Sequence, residues 1–146
     1  MSVLGNPILL LFGSSSQEPY FYDAGNEYIP VTGGWVRFGI GGWLAKNSGN
    51  MKLTGNPQTA QTQKGFDFTD YSTLYFDVSS NETYEHSSVG LVDTSGSFTL
   101  TYFEKVSGKG RVTKAVDISN ANGVFYPTVL TQTGTGGIYI YKVWAE

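Results

Sequence analysis

Residues 137–145 read Gly-Ile-Tyr-Ile-Tyr-Lys-Val-Trp-Ala, which is the pattern of a β-strand rich in large apolar side chains. Successive side chains of a strand point to opposite faces of its sheet. One face would carry Ile138, Ile140 and Trp144, and the other would carry Tyr139, Tyr141 and Val143. Because both faces are largely apolar, the pattern predicts a closing strand that is covered on both sides.

Lys142 shares the first of these faces and indicates that this face reaches solvent near its middle. The face of Tyr139, Tyr141 and Val143 is therefore predicted to pack in the core. The remaining apolar side chains of the strand become candidates for a contact with another protomer or with the N-terminal segment. These assembly candidates are Ile138, Ile140 and Trp144.

Other strand-like runs recur along the chain, separated by turn residues, and no segment has helical periodicity. Thr73–Ser79 is the clearest, with Leu74, Phe76 and Val78 alternating with more polar residues. Val124–Leu130 contains Pro127 and is predicted to be irregular or to lie at an edge. Together the runs predict an all-β antiparallel jelly-roll sandwich of about eight to ten short strands.

Composition narrows the functional classes. The chain has 146 residues, a formal net charge of −3 and no cysteine. The net negative charge argues against binding to a nucleic acid backbone. The absence of cysteine excludes disulfides and thiolate metal sites. The longest apolar run, Ile8–Phe12, is far shorter than the roughly 20 residues of a membrane span, so none is predicted.

The first residues form an apolar stretch followed by a small, polar stretch at Gly13–Gln17. We interpret residues 1–17 as a docking segment with its linker, and residues 18–146 as the β-sandwich domain. The alternative is that Val3–Phe12 is the first strand of the sandwich. The assembly candidates in the docking segment are Val3, Ile8, Leu9, Leu10, Leu11 and Phe12.

Three segments resemble parts of the jelly rolls typical of carbohydrate-binding modules: Asp67–Val78, Lys114–Ser119 and Gly137–Ala145. Tyr20–Trp35, with its Tyr-Asp-Ala-Gly-Asn-Glu and Thr-Gly-Gly-Trp motifs, and the start of the chain are similar to domains of phage and prophage tail-fibre or virion-associated proteins. The resemblance implies a homo-oligomer, with a trimer favoured, that contacts other virion proteins and host-surface glycans. Because the chain is short, it fits a small fibre-like or capsid-decorating subunit better than a full receptor-binding fibre.

Aromatic side chains are the candidate glycan-binding residues, because the C–H faces of sugars pack on flat rings. Trp35 and Trp43 each follow a pair of glycines, which would let a ligand approach closely. The alternative is that these aromatics fill the core or a subunit contact. Five tyrosines could widen such a platform: Tyr20, Tyr22, Tyr75, Tyr84 and Tyr126.

Catalytic and metal sites are weakly indicated. The only histidine, His86, lies in a polar stretch and is interpreted as an exposed loop residue. Several acidic residues lie in turn contexts and are explained by local hydrogen bonds to the backbone rather than by catalysis. The resemblance implies that a structural calcium ion is possible. The weak candidates for its protein ligands are Asp23, Asn26 and Glu27.

These observations lead to one main hypothesis and two alternatives. The main one is a non-enzymatic structural protein of a phage virion, located on the particle, that adheres to glycans by many repeated weak contacts. The first alternative is a carbohydrate-binding module of a secreted enzyme or adhesin, which would be extracellular. The second is a glycan depolymerase, which would require a pair of carboxylates.

Overall fold

A computed structural model describes residues 19–80, 87–108 and 110–146, without the side chains of residues 133–136. These residues form strands joined in antiparallel pairs and one short helix, which confirms the predicted all-β antiparallel fold. None of the described helices is long and apolar enough to cross a membrane. The strands are β1 Tyr20–Asp23, β2 Trp35–Gly39, β3 Trp43–Lys46, β4 Met51–Thr62, β5 Phe66–Asp67, β6 Thr73–Ser80, β7 Ser87–Val92, β8 Tyr102–Val106, β9 Gly110–Asp117 and β10 Val124–Ala145, and the helix is α1 Ile29–Thr32.

Two long strands, β4 and β10, run side by side and take part in both layers of a sandwich. In the first layer, sheet I, the order is β8, β7, the first half of β10, the second half of β4 and β2. In the second layer, sheet II, β6 pairs with one side of the second half of β10, and β9 pairs with the outer side of β6. The first half of β4 and β1 flank its other side, and β3 lies outside β4.

Strand β10 is longer than predicted, since it includes both the closing strand and the stretch around Pro127. Pro127 aligns with Leu91 of β7, whereas the register with β4 begins only at Thr128. Proline cannot donate a ladder hydrogen bond, so its place before the two-sided part of the strand explains how β10 tolerates it.

The core lies between the two sheets and draws apolar side chains from both. Val89, Leu91 and Val129 come from sheet I, and Leu74 and Phe76 come from sheet II. All five are fully buried in one contiguous cluster. The alternation predicted for Thr73–Ser79 is confirmed, because Leu74, Phe76 and Val78 are buried while their neighbours are half-exposed.

The predicted orientation of the closing strand is wrong. Ile138 and Ile140 are 0% exposed and belong to the core, so they cannot form the predicted contact surface. The register with β6 shifts between Ile140 and Lys142, which marks a β-bulge at Tyr141. A bulge adds one residue and reverses the alternation that follows it. Tyr139 points outward between the buried Ile138 and Ile140, and the bulge leaves both Tyr141 and Lys142 half-exposed as well, while Val143 is buried as predicted.

Two similar turns fix the ends of β5 and β9. The Asp67 carboxylate accepts hydrogen bonds from the backbone N–H and the hydroxyl of Thr69, and Asp117 does the same with Ser119. These bonds favour the ionised carboxylates and lower the pKa of both aspartates. The residues inside the turns, Phe68 and Ile118, are completely buried, so each turn anchors its strand to the core.

Residues 1–17, with the docking segment and its assembly candidates, lie outside the described residues. The predicted division into residues 1–17 and 18–146 therefore stays a prediction. Tyr84 and His86 also lie outside them.

Candidate functional site

The outward face of sheet II carries a concentration of aromatic and charged side chains. It is formed by side chains of β4, β6, β9 and β10 and of the start of β1 that point away from the core. Its aromatic members are half-exposed rather than buried. We call this surface the aromatic face; its residues are Tyr20, Lys52, Tyr75, Asp77, Arg111, Tyr139, Tyr141, Lys142 and Trp144.

Tyr139 and Tyr141 form a nearly parallel pair at the centre of the face. Their ring centroids are 6.4 Å apart and their planes differ by 22°. A cation lies against each ring: the Lys52 Nζ is 5.1 Å from the centre of Tyr139, and the Arg111 Cζ is 3.9 Å from the centre of Tyr141. These cation–π contacts hold the basic side chains close to the rings instead of leaving them free in solvent.

A salt bridge fixes the Arg111 guanidinium over Tyr141. Its Nε donates to Asp77 Oδ1 at 2.9 Å and its Nη2 donates to Asp77 Oδ2 at 2.8 Å. The hydrogen bonds to Asp77 also raise the pKa of Arg111 above its ordinary value, so the group remains a cation. A bidentate pair restrains both planes and leaves the remaining guanidinium N–H groups available for a ligand.

Tyr75 and Trp144 form the second parallel pair, on neighbouring strands β6 and β10. Their centroids are 5.0 Å apart and their planes differ by 16°. The Lys142 Nζ lies 4.7 Å from the Trp144 ring and 5.1 Å from the Tyr20 ring, so it sits between the two. Trp144 Nε1 donates to Glu146 Oε2 at 3.3 Å, which helps to orient the indole.

The aromatic face is suited to a ligand that has both apolar and polar surfaces. Parallel rings offer flat apolar area with little conformational entropy to lose, and the phenol hydroxyls and cations offer hydrogen bonds at the ring edges. Tyr139 and Trp144 are five positions apart along β10, which corresponds to about 16 Å of strand. The arrangement therefore fits an extended ligand better than a compact one.

Two of the predicted glycan-binding residues are in the core, so their assignment to a surface platform is wrong. Trp35 is 1% exposed, and its Nε1 donates to the carbonyl of Phe21 at 2.9 Å. Tyr22 is also 1% exposed and packs edge-on against Trp35. An irregularity in β1 between Tyr20 and Tyr22 leaves Phe21 and Tyr22 both buried, which simple alternation does not predict.

The other three candidates are dispersed. Tyr20 belongs to the aromatic face, where its ring contacts Lys142. Trp43 is 59% exposed on β3, and its pairing with Thr54 places it at the far margin of sheet II. Tyr126 pairs with Val92 in sheet I, so the structure does not bring it to this face.

Two of the three predicted calcium ligands, Glu27 and Asn26, use their side-chain oxygens for hydrogen bonds within the fold. Glu27 Oε1 accepts hydrogen bonds from the Trp35 N–H at 2.8 Å and from Lys46 Nζ at 3.0 Å. Asn26 Oδ1 accepts from the Tyr28 N–H at 2.9 Å, while Asp23 pairs with Asn26 through the backbone. Within the described part of the chain, no three His, Asp or Glu residues form a group that could hold a metal.

Sequence reasoning placed Tyr75 among the glycan candidates and Trp144 among the assembly candidates, but it missed most of the face. One available signal was the Tyr141-Lys142 pair, where two residues with polar ends interrupt an apolar alternation. A bulge at this point lets two consecutive side chains lie on the solvent side of the strand. The residues of the aromatic face that were not predicted as site residues are Lys52, Asp77, Arg111, Tyr139, Tyr141 and Lys142.

Known proteins resemble this chain in fold but not in sequence. No protein-family model matches the chain, and no curated protein sequence matches it. Among solved structures, a family 29 carbohydrate-binding module from Piromyces equi matches with a TM-score of 0.55 and 14% identity, over 88% of this chain and 89% of that one. The chain has the fold of a carbohydrate-binding module.

Two further structures support this fold assignment. A variant of another family 29 module matches with a TM-score of 0.60 and 16% identity, over 90% of this chain and 92% of that one. A family 6 module from Clostridium stercorarium, solved with cellobiose, matches with a TM-score of 0.53 and 17% identity, over 76% of this chain and 86% of that one. The resemblance to carbohydrate-binding-module jelly rolls is thus confirmed at the level of fold.

Proposed function

We propose that this chain is a non-catalytic carbohydrate-binding module that holds a polysaccharide across the aromatic face. The observation that carries the proposal is the pair of parallel ring stacks on one outward sheet face, flanked by the fixed Arg111–Asp77 pair. Two ring pairs provide apolar contact for successive sugars, while Arg111 and Asp77 provide donors and acceptors for hydroxyl groups.

The fold supports this proposal over a virion role. The structures described above are carbohydrate-binding modules, and they give no support to a phage structural protein. The virion location, the virion partners and the favoured trimer therefore remain predictions from the sequence resemblance. A module that binds polysaccharide fits an extracellular location, which was the alternative considered for this sequence.

Binding to a polysaccharide panel tests the proposed function. The panel should include manno- and cello-configured chains, because one family 29 variant was solved with mannohexaose and the family 6 module with cellobiose. We expect the protein to be retarded in gels that contain at least one of these polysaccharides. We expect Tyr139→Ala to weaken that binding by about tenfold, since the ring loses its contact with the sugar.

Tyr126→Ala is the matched control, because Tyr126 is a half-buried tyrosine of the same strand in the opposite sheet. Tyr126→Ala should leave binding unchanged, although it should lower the free energy of unfolding by about as much as Tyr139→Ala does. Equal weakening by Tyr126→Ala and Tyr139→Ala, or no retention on any polysaccharide, would contradict the proposed site.

A further inference from the structure

We infer that the aromatic face binds polysaccharides with acidic groups more tightly than neutral ones. We expect these acidic groups to be the carboxylates of uronates. This inference deepens the proposed function and rests on it. It comes from the charge on the face, which differs in sign from the charge of the chain as a whole.

Basic residues gather on the aromatic face of an acidic protein. The chain has a formal net charge of −3 with nine Lys and Arg residues, and three of these cations lie on this face. Its central carboxylate, Asp77, is already paired with Arg111. Across the described residues, the ion pairs closer than 4.0 Å are Arg111–Asp77 and Lys46–Glu27, so Lys52 and Lys142 have no carboxylate partner at that distance.

Acidic groups near the margin do not neutralise these lysines. Asp23 lies opposite Lys142 in the β1–β10 register, yet the two side chains form no ion pair. Glu146 accepts a hydrogen bond from the Trp144 indole at the end of β10. The rings thus hold the ammonium groups of Lys52 and Lys142 next to the surface that a sugar would cover.

Covering these ammonium groups has a different free-energy cost for neutral and acidic sugars. A ligand that packs on Tyr139 or Trp144 removes water from the neighbouring ammonium group. Neutral hydroxyls form hydrogen bonds with the ammonium groups in place of that water but bring no opposite charge, whereas a carboxylate provides both. The two unpaired lysines should therefore favour an acidic polysaccharide over a neutral one with the same backbone.

The positions of the cations suit repeated acidic groups. Lys52 pairs with Tyr139, Tyr139 with Ser79, and Ser79 with Arg111, so one row across the sheet has a cation at each end. Three strand spacings separate these ends, which is about 14 Å. Lys142 lies on the adjacent row, beside the bulge. An acidic chain crossing the tyrosine pair would meet positive charge on both sides of it.

The test compares each acidic polysaccharide with its carboxyl-reduced form. Suitable probes are polygalacturonate, alginate and hyaluronate, with dextran sulfate as a sulfated polyanion. We expect at least one uronate polymer to bind about tenfold more tightly than its reduced form, with the difference shrinking as salt is raised. Lys52→Gln with Lys142→Gln should abolish that difference, so that the native and the reduced forms of the polymer bind this variant with equal affinity.

The matched control replaces Lys64 and Lys105, which lie outside the aromatic face, by glutamine and should preserve the preference. Dextran sulfate binding that depends on Lys52 and Lys142 and exceeds uronate binding would identify sulfate esters as the acidic group. Equal affinity for native and reduced polymers would overturn this inference and leave the proposed function intact. Loss of the preference in the control variant would also overturn it, since the effect would then be non-specific. Failure to bind any polymer, neutral or acidic, would overturn both proposals.

Discussion

Replacing Tyr141 and Trp144 together by alanine is expected to weaken polysaccharide binding by about two orders of magnitude while the protein remains folded. One ring comes from each parallel pair, so the double variant leaves Tyr139 and Tyr75 without their stacking partners. Each ring is worth about 1–2 kcal/mol in contact with a sugar. The two losses together correspond to roughly 30- to 1,000-fold in affinity.

Titration calorimetry with the best polysaccharide of the panel measures this loss, and thermal unfolding checks the fold. A suitable control is Phe103→Ala with Tyr126→Ala, which removes two accessible rings from sheet I. The double variant of the aromatic face should lose affinity while the control retains it. Similar affinity in both variants would place the binding site elsewhere.

Replacing Trp35 by alanine is expected to reduce the free energy of unfolding by about 3–5 kcal/mol. The indole is 1% exposed, packs against Tyr22 and donates a hydrogen bond to the carbonyl of Phe21. Its removal leaves a cavity and an unsatisfied carbonyl between β1 and β2. Trp43→Ala provides the comparison, because Trp43 is 59% exposed and should change stability by less than about 1 kcal/mol.

Urea unfolding of the two variants measures this contrast. Similar midpoints for Trp35→Ala and Trp43→Ala would contradict the assignment of Trp35 to the core. A large loss of stability confined to Trp43→Ala would do so even more strongly.

Strands with regular alternation were predictable from the sequence. In β6, Leu74, Phe76 and Val78 point inward as their spacing requires, because each lies two positions from the next. The antiparallel all-β class follows from many such runs separated by turn residues. These features depend on local periodicity, which a single sequence contains.

The candidate site was not predictable in the same way, because two irregular strands build it. The bulge at Tyr141 lets Lys142 face outward although Ile138 and Ile140, which have the same parity in the sequence, lie in the core. Bulges depend on pairing with a distant strand, here β6, so local alternation gives the wrong face beyond them. The glycines before Trp35 suggested ligand access, but Gly33 and Gly34 adopt positive φ angles in the turn after α1.

The three tryptophans test the proposed binding face directly, because each indole N–H lies in a different environment. Trp144 is in the aromatic face, Trp43 is at its far margin and Trp35 is buried. Nuclear magnetic resonance follows the three indole signals of labelled protein as an oligosaccharide from the best polysaccharide is added. We expect a large shift of the Trp144 signal and an unchanged Trp35 signal. A Trp144 signal that does not move at an oligosaccharide concentration that saturates binding would contradict the proposed site.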